Sequence, residues 1–195
     1  VFLGGGAEQH LDIVVKDLQG KGPYLVDAVE KGTVLLSICL GFQVLGQYLS
    51  TQDGIEFPGV GIFDAHTEAE ASRLQGDILI DAAPEYQDEL KRVGGTPLTT
   101  IVGFENHSGR TFLGEAKPFG TVIKGQGNNG EDKTEGAVYK NAFGTYLHGP
   151  LLAKNPHLAD LLLTRALSRQ GEIKLAPLND ELETYAHNVI KKRLR

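Results

Sequence analysis

The only cysteine of the chain, Cys39, lies in the stretch SICLGFQ, where an apolar run meets a helical pattern. Most free cysteines are buried and inert, so a cysteine by itself indicates core packing. Here, however, the small residues Ser37 and Gly41 stand two positions before and two positions after it. A nucleophile at a sharp strand-to-helix turn needs small neighbours, because other backbone segments crowd that turn. We therefore interpret Cys39 as a nucleophile at the carboxyl end of a strand, with the amino end of the next helix stabilising its thiolate.

A thiolate nucleophile needs a base, and the chain offers six histidines. His148 is the best placed, because it follows the strand pattern FGTYL and precedes a Gly-Pro pair. This position predicts that its ring emerges at the same carboxyl edge of the sheet as Cys39. His66 and His107 are the next candidates. We expect the remaining three to be solvated, in helical or surface contexts: His10, His157 and His187.

The apolar pattern around Cys39 predicts the elements that position it. Residues 33–38 form an uninterrupted apolar, β-branched-rich run, typical of a strand buried on both faces of a parallel sheet. Two helical patterns precede it, at 7–18 and 24–31, with the breaker GKGP between them. A helix, a buried strand and a helix together indicate a βαβ unit and the α/β class. The other predicted elements are a strand at 1–3, a helix after Cys39 with Phe42, Leu45 and Leu49 on one face, strands at 77–80, 100–104 and 142–147, a helix or exposed loop at 84–95, a loop at 125–130, and helices around 158–166 and at 182–195.

Composition limits the class of protein. A chain of 195 residues suits one domain, 1–195, and its formal net charge of −6 argues against a nucleic-acid ligand. A single cysteine forms no internal disulfide, and no apolar run reaches the roughly 20 residues that span a bilayer. We expect a cytoplasmic protein with no membrane insertion. The sequence contains no Met and opens on VFLGGG, so we also expect one or more upstream strands to be missing from it.

Several stretches resemble one known family. SICLGFQ resembles the G-x-C-x-G-x-Q elbow of class I glutamine amidotransferases, with Ser37 in place of the first glycine. Typical members carry an acid two residues after the catalytic histidine; here Pro150 stands there, as in the cobyric-acid-synthase-like branch with its Cys-His dyad. Within that branch, GFENHSGRTFLG, GQGNNGEDKTEGAVYKN and FGTYLHGPLL are similar to the glutaminase subunits of lipid II isoglutaminyl synthases, and the likeness covers essentially the whole chain. It implies a flavodoxin-like α/β fold with a mostly parallel sheet flanked by helices.

The resemblance also implies a reaction. Cys39 would attack the side-chain amide of L-glutamine, His148 would protonate the departing ammonia, and water would then hydrolyse the thioester to glutamate. The triple glycine resembles the loop that supplies one N–H of the family's oxyanion hole, here from Gly5 or Gly6, and Leu40 would supply the other. The reaction requires no metal or organic cofactor.

The same resemblance implies how substrate and partner are bound. Arg73 would hold the α-carboxylate of glutamine through a bidentate, charge-assisted pair, and Gln43 is a second, weaker candidate for substrate binding. The partner would be a Mur-ligase-like, ATP-dependent synthase in a heterodimer. That synthase would use the ammonia to amidate the D-glutamate of lipid II, in peptidoglycan synthesis.

Three questions stay open at this point. The acid that orients His148 is either internal, with Glu105 the candidate, or supplied by the partner, which we favour because it would couple ammonia release to complex formation. The acceptor could instead belong to another synthase, such as one that amidates cobyrinic acid. The fold could also serve a non-catalytic or redox-sensing module with Cys39 as the sensor, while a cysteine peptidase is a weaker alternative because no extended substrate groove can be argued.

Overall fold

A computed structural model describes residues 1–6, 8–93, 97–171 and 173–195. The strands are β1 (Phe2–Leu3), β2 (Leu35–Ile38), β3 (Tyr48–Ser50), β4 (Glu56–Pro58), β5 (Ala65–Ala82), β6 (Thr100–Leu113), β7 (Gly120–Lys124), β8 (Thr134–Glu135), β9 (Ala137–Tyr139) and β10 (Ala142–Thr145). The helices are α1 (Leu11–Glu30), α2 (Leu40–Gln43), α3 (Pro84–Val93), α4 (Leu151–Lys154), α5 (Pro156–Leu167) and α6 (Glu181–Leu194), with 3-10 turns at Glu8–His10 and Ser168–Gln170.

The smaller of the two sheets carries the Cys39 elbow. Its strand order is β1-β2-β10-β9, and both neighbours of β2 run parallel to it. Every residue of β2 and β10 is buried, which explains why the sequence shows apolar runs there rather than alternation. Because the carboxyl ends of parallel strands meet at one edge, the residues that follow β2 and β10 lie side by side.

The larger sheet departs from the expectation of a mostly parallel fold. Its order is β4-β3-β5-β7-β8, with β6 also paired to β5, and in it only β3 and β5 are parallel. The chain reverses through α3, so that β5 and β6 pair antiparallel along nearly their whole length. The α/β class and the amidotransferase-like architecture are as expected, but the strands predicted at 77–80 and 100–104 are the inner parts of these two long strands.

Helix α1 is one continuous helix, whereas two helices were predicted. Pro23 lies inside it, and proline removes one helical hydrogen bond. The helix buries a stripe that includes Leu11, Val15 and Val29, and Gly22 packs so closely that a Cβ there would lie 3.3 Å from Cγ1 of Val60. This packing outweighs the local breakers. Residue 7, the start of the predicted segment, is outside the described residues.

Helix α2 is a single turn, shorter than predicted. It ends at Gln43 because the carbonyls of Val44 and Leu45 accept hydrogen bonds of 2.9–3.0 Å from the amides of residues 60, 62 and 63, in place of helical ones. Leu49, expected on the same helical face, lies in β3. The dipole of α2 at Cys39 is therefore that of one turn and not of a long helix.

Strand β2 separates two apolar clusters. Leu36 and Ile38 pack on one side with Ile78 and Ile80, and Leu35 packs on the other side against Phe42 and other side chains. Alternate residues of a strand point to opposite faces, so β2 is the central layer of a layered core. The elbow is held from both sides.

The C-terminal helices corrected one expectation about histidines. His157 on α5 and His187 on α6 are almost completely buried, and hydrogen bonds to Thr100 make this burial possible. Nε2 of His157 donates to the carbonyl oxygen of Thr100 at 3.0 Å, and Nε2 of His187 lies 3.1 Å from the Oγ1 of Thr100. His10, by contrast, is exposed as predicted.

The predicted element at 84–95 is helical over Pro84–Val93, while residues 94 and 95 are not described. Among the described residues, no helix combines the length and apolar character that a bilayer crossing requires.

Candidate active site

Cys39 occupies a strained turn between β2 and α2. Its φ of 54° and ψ of −115° fall in a region that residues other than glycine seldom adopt, and such strain is concentrated at functional sites. Its N–H donates to the carbonyl of Thr145 at the end of β10, at 2.9 Å. A Cβ on Gly41 would lie 2.7 Å from the carbonyl oxygen of Leu3 and 2.8 Å from that of Gly4, so only glycine fits there. The sequence-based interpretation of a crowded elbow is matched by this geometry.

The glycine loop after β1 lies against the elbow. A Cβ on Gly5 would be 3.4 Å from Cβ of Cys39 and 3.9 Å from Nε2 of His148. One on Gly6 would be 3.0 Å from Cδ2 of Leu40. The space between the sulfur-bearing residue and the imidazole is therefore the space that the missing side chain of Gly5 leaves open.

The backbone of Phe104 orients His148. The N–H of His148 donates to the carbonyl oxygen of Phe104 at 2.7 Å, and its Nδ1 lies 3.1 Å from the same oxygen. A carbonyl only accepts hydrogen bonds, so we assign the ring proton to Nδ1, which leaves a lone pair on Nε2. This is the tautomer that a general base beside Cys39 requires.

Glu105, the internal candidate for orienting His148, binds the backbone of the loop at 125–130. Its two carboxylate oxygens each accept a backbone N–H at 2.8 Å, from Gln126 and from Gly127, and so hold the loop at 125–130. Burial raises the pKa of its carboxyl. The sequence could not reveal the Phe104 carbonyl, because a backbone group carries no residue-type signal.

The Cys39 elbow, the glycine loop and His148 line one cleft of about 680 Å³, which is within the usual range for small-molecule sites. Its walls are formed by Gly5, Gly6, Gln9, Cys39, Leu40, Gln43, Arg73, Asn106, His107, Ser108 and His148. All seven residues that the sequence analysis assigned to the dyad, the oxyanion hole or substrate binding are among them, whereas the candidates His66 and Glu105 are not. A larger cavity of about 770 Å³ lies at residues of α1, β9 and α5, and includes none of the seven.

Arg73 reaches the cleft from an irregular part of β5. The register between β5 and β6 shifts between Ala69 and Leu74, and such bulges re-aim side chains near active sites. The guanidinium is held by Asn106, to whose Oδ1 the Nε donates at 2.9 Å and to whose carbonyl the Nη2 donates at 3.0 Å. These two hydrogen bonds fix the direction of the guanidinium, and Asn106 is a residue that the sequence analysis missed.

Gln43 is held in the wall of the cleft by a buried polar chain. Its Nε2 donates to the hydroxyl of Tyr146 at 3.0 Å, and that hydroxyl lies 2.7 Å from Oγ1 of Thr111, which lies 2.7 Å from Oγ1 of Thr67. The amide orientation leaves the carbonyl oxygen of Gln43 as an acceptor. Both roles raised from the sequence, substrate contact and packing, are compatible with this position.

His107 is the other histidine of the cleft. Its ring stacks on Tyr146 with centroids 3.5 Å apart, and its Nδ1 lies 2.7 Å from the carbonyl oxygen of Gly109, to which it must donate. Burial lowers the pKa of His107 to about 4, with the nearby charge of Arg110 a smaller cause, so the ring is neutral. His66 lies elsewhere, stacked between Tyr48 and Phe112.

Comparisons with known proteins agree with this geometry. A family model described as a CobB/CobQ-like glutamine amidotransferase domain matches residues 1–156. The chain is 42% identical, over 98% of its length and 74% of the other protein, to the lipid II isoglutaminyl synthase (glutamine-hydrolyzing) subunit GatD of Staphylococcus aureus. It is 41% identical, over 93% of its length and 66% of the other, to the subunit of the same name from Streptococcus pneumoniae. A crystal structure of a glutamine amidotransferase matches 85% of this chain and 77% of its own, with a TM-score of 0.53 and 16% identity, which is a likeness of fold alone.

Proposed function

This chain belongs to the CobB/CobQ-like glutamine amidotransferase family and carries its glutamine-hydrolysing domain, and from that premise we propose that Cys39 and His148 are its catalytic dyad. One observation carries the assignment: the strained Cys39 and Nε2 of His148 both lie within 4 Å of the point that a side chain on Gly5 would occupy. A glutamine amide placed at that point meets a nucleophile on one side and a base on the other.

The reaction proceeds in two halves. The Cys39 thiol gives its proton to Nε2 of His148, and the sulfur attacks the carbonyl carbon of the substrate's side-chain amide. The C–N bond breaks as His148 returns that proton to the nitrogen, which leaves as ammonia. His148 then removes a proton from water, and the hydroxide attacks the thioester carbon. The C–S bond breaks as His148 gives that proton to the leaving sulfur, which yields glutamate and the free thiol.

Backbone amides stabilise the oxyanion in both halves. Leu40 is the first residue of α2, and the first N–H groups of a helix have no partner within it. The loop of Gly5 and Gly6 supplies the opposing donor from across the cleft. A pair of fixed donors aimed at a developing negative oxygen is worth several kcal/mol in the transition state.

Substrate is bound by side chains at the rim. Arg73 pairs with the α-carboxylate of glutamine, because Asn106 turns its guanidinium into the cleft and a fork of donors matches a carboxylate. Gln43 contributes its amide oxygen to the same pocket. The proposed reaction requires no metal or organic cofactor.

The chain works as one subunit of an assembly, and glutamine is its nitrogen donor. We propose that the partner is a Mur-ligase-like, ATP-dependent synthase that amidates the D-glutamate of lipid II in the cytoplasm. The support is the 42% and 41% identity to subunits named for lipid II isoglutaminyl synthase. Residues 1–195 form a single amidotransferase domain in this proposal. Mostly beyond the matched residues 1–156, α5 packs in the cluster of Ile78 and Ile80, and α6 packs against Leu79 and Val102 on the other face of the same strands.

The test is glutamate release from L-glutamine, measured for the chain alone and with its co-purified partner. Wild-type protein should release glutamate in at least one of these conditions, and Cys39→Ser should release none while keeping its thermal unfolding midpoint. The absence of release from wild type in both conditions would refute a glutaminase and favour a non-catalytic module. Amidation of a cobyrinic acid instead of lipid II would keep the chemistry and replace the acceptor.

A further inference from the structure

One residue in the wall of the cleft has a buried ring nitrogen without a partner. In the described part of the chain, five buried side-chain atoms lack a hydrogen bond, and the one that belongs to a cleft residue is Nε2 of His107. The residue is 1% exposed. A buried polar atom left unsatisfied is costly, so a partner in the bound state is the physical explanation that the site itself suggests.

The ring of His107 can only accept at that atom. The carbonyl of Gly109 takes the Nδ1 proton at 2.7 Å, and a ring turned over about its Cβ–Cγ bond would lose this hydrogen bond. The low pKa of the ring keeps Nε2 unprotonated at neutral pH. The substrate group that meets Nε2 must therefore be an N–H or O–H donor.

The position of His107 indicates which donor this is. Arg73, the residue that takes the α-carboxylate, lines the same cleft, and Asn106, which holds Arg73, directly precedes His107 on β6. The α-ammonium group sits on the same carbon atom as that carboxylate. Arg110 is the other cation near His107. Its guanidinium pairs with the carboxylate of Glu70 at 3.2 Å and donates to the carbonyl of Ser108, and this pairing reduces its repulsion of an ammonium group bound at His107.

We propose that Nε2 of His107 accepts a hydrogen bond from the α-ammonium group of glutamine and thereby selects α-amino-acid amides over simple amides. This inference rests on the proposed function. His107 is in this view a specificity-determining residue, distinct from the proposed base His148, whose Nε2 lies within 4 Å of the position of a Cβ on Gly5.

The first test observes the unmutated ring of His107 directly. Cys39→Ser protein labelled with nitrogen-15 in its histidines is titrated with L-glutamine and, separately, with glutaramate, which is glutamine without the α-amino group. The Nε2 resonance of His107 should move toward the hydrogen-bonded position with L-glutamine and stay in place with glutaramate. An unmoved resonance at saturating L-glutamine, or equal movement with both compounds, would overturn the inference.

The second test compares affinities. His107→Phe keeps an aromatic ring for stacking on Tyr146 but lacks the lone pair, and it also identifies the His107 resonance by its disappearance. The loss of a hydrogen bond to a charged group predicts a roughly 10- to 100-fold weaker affinity for L-glutamine, with little change for glutaramate. An equal loss for both compounds would show a general packing defect and contradict the inference. If His107→Phe fails to fold, the His107 resonance is assigned instead through its bonded connection to the sequentially assigned backbone, and the measurement on the unmutated ring decides.

Failure of this inference is distinguishable from failure of the proposed function. If wild-type protein hydrolyses glutamine while the Nε2 resonance of His107 does not move on addition of L-glutamine, only the role of His107 is wrong. If wild-type protein neither binds nor hydrolyses glutamine, alone or with its partner, both are wrong.

Discussion

The substitution Gly5→Ala adds one methyl group at the centre of the proposed reaction. Its Cβ would lie 3.4 Å from Cβ of Cys39 and 3.9 Å from Nε2 of His148, both ordinary van der Waals distances. The φ of Gly5 is not in the left-handed region, so alanine fits the backbone as well. The protein should fold normally, and its free energy of unfolding should stay level or rise by about 0.4–1 kcal/mol, as for other unstrained glycine-to-alanine changes.

Activity should fall sharply for the same geometric reason. The amide carbon must approach the sulfur to roughly 3–3.5 Å, and a displacement of about 1 Å costs on the order of 100-fold in rate. A methyl group that fills the gap between Cys39 and His148 forces at least that displacement. We expect kcat/KM for glutamine hydrolysis to fall by at least roughly 100-fold, or about 2.7 kcal/mol in the activation free energy.

Two neighbouring glycines give matched controls in the same glutaminase and thermal unfolding assays. A Cβ on Gly4 would meet only a ring carbon of Phe2, at 3.7 Å, so Gly4→Ala should keep both activity and stability. Gly41→Ala would place its Cβ 2.7–2.8 Å from two backbone oxygens and should destabilise the fold. If Gly5→Ala stays active, or loses activity only because it unfolds like Gly41→Ala, the reaction does not take place in this gap.

Two further predictions concern charge. Arg73→Ala should raise KM for glutamine about 10- to 100-fold with a smaller change in kcat, because it removes a charge-assisted pair with the substrate. The control Arg92→Ala on α3 should leave the steady-state kinetics unchanged. An unaltered KM in Arg73→Ala would refute the binding role. Burial raises the pKa of Glu135 from 4.5 to about 7, so its native state holds the proton more tightly than the unfolded chain and the free energy of unfolding falls as pH rises between those values. Denaturant titrations should show the stability of Glu135→Gln relative to wild type rising by up to about 3 kcal/mol between about pH 5 and pH 8, and a pH-independent difference would contradict this.

The elbow at Cys39 could be predicted because its signals are local. The small residues on either side of Cys39 and the buried run before it are readable in the nine letters of residues 33–41, and the structure shows the reasons in β2 and in the fit of Gly41. The position of His148 followed from the same rule, since β10 is a parallel neighbour of β2. Arg73 was reached through resemblance, because nothing in its immediate sequence reveals the bulge that brings it to the cleft.

The lengths of α1 and α2 could not be predicted, because distant segments decide them. The carbonyls of Val44 and Leu45 are taken by amides more than ten residues away, which ends α2 early. Close packing of Gly22 on Val60 carries α1 through Pro23. Local propensity is a weak guide wherever tertiary bonds compete with it.

The histidines show the same limit. His157 and His187 are buried on helices that looked amphipathic, because each finds a partner on Thr100 of β6. The surroundings of His107 depend on pairing between β5 and β6 and on stacking over Tyr146, which is 39 positions later in the chain. Likewise, the group that orients His148 is the Phe104 carbonyl, which became visible only with the chain folded.

The assignment of Cys39 as the nucleophile is tested most directly by locating the adduct of a glutamine-mimicking electrophile, such as a diazoketone analogue of glutamine, by peptide mass spectrometry. Wild-type protein should carry one adduct per chain, on Cys39, and excess L-glutamine should protect against its formation. An adduct on a histidine or another side chain, or modification of Cys39 that L-glutamine does not slow, would contradict the assignment.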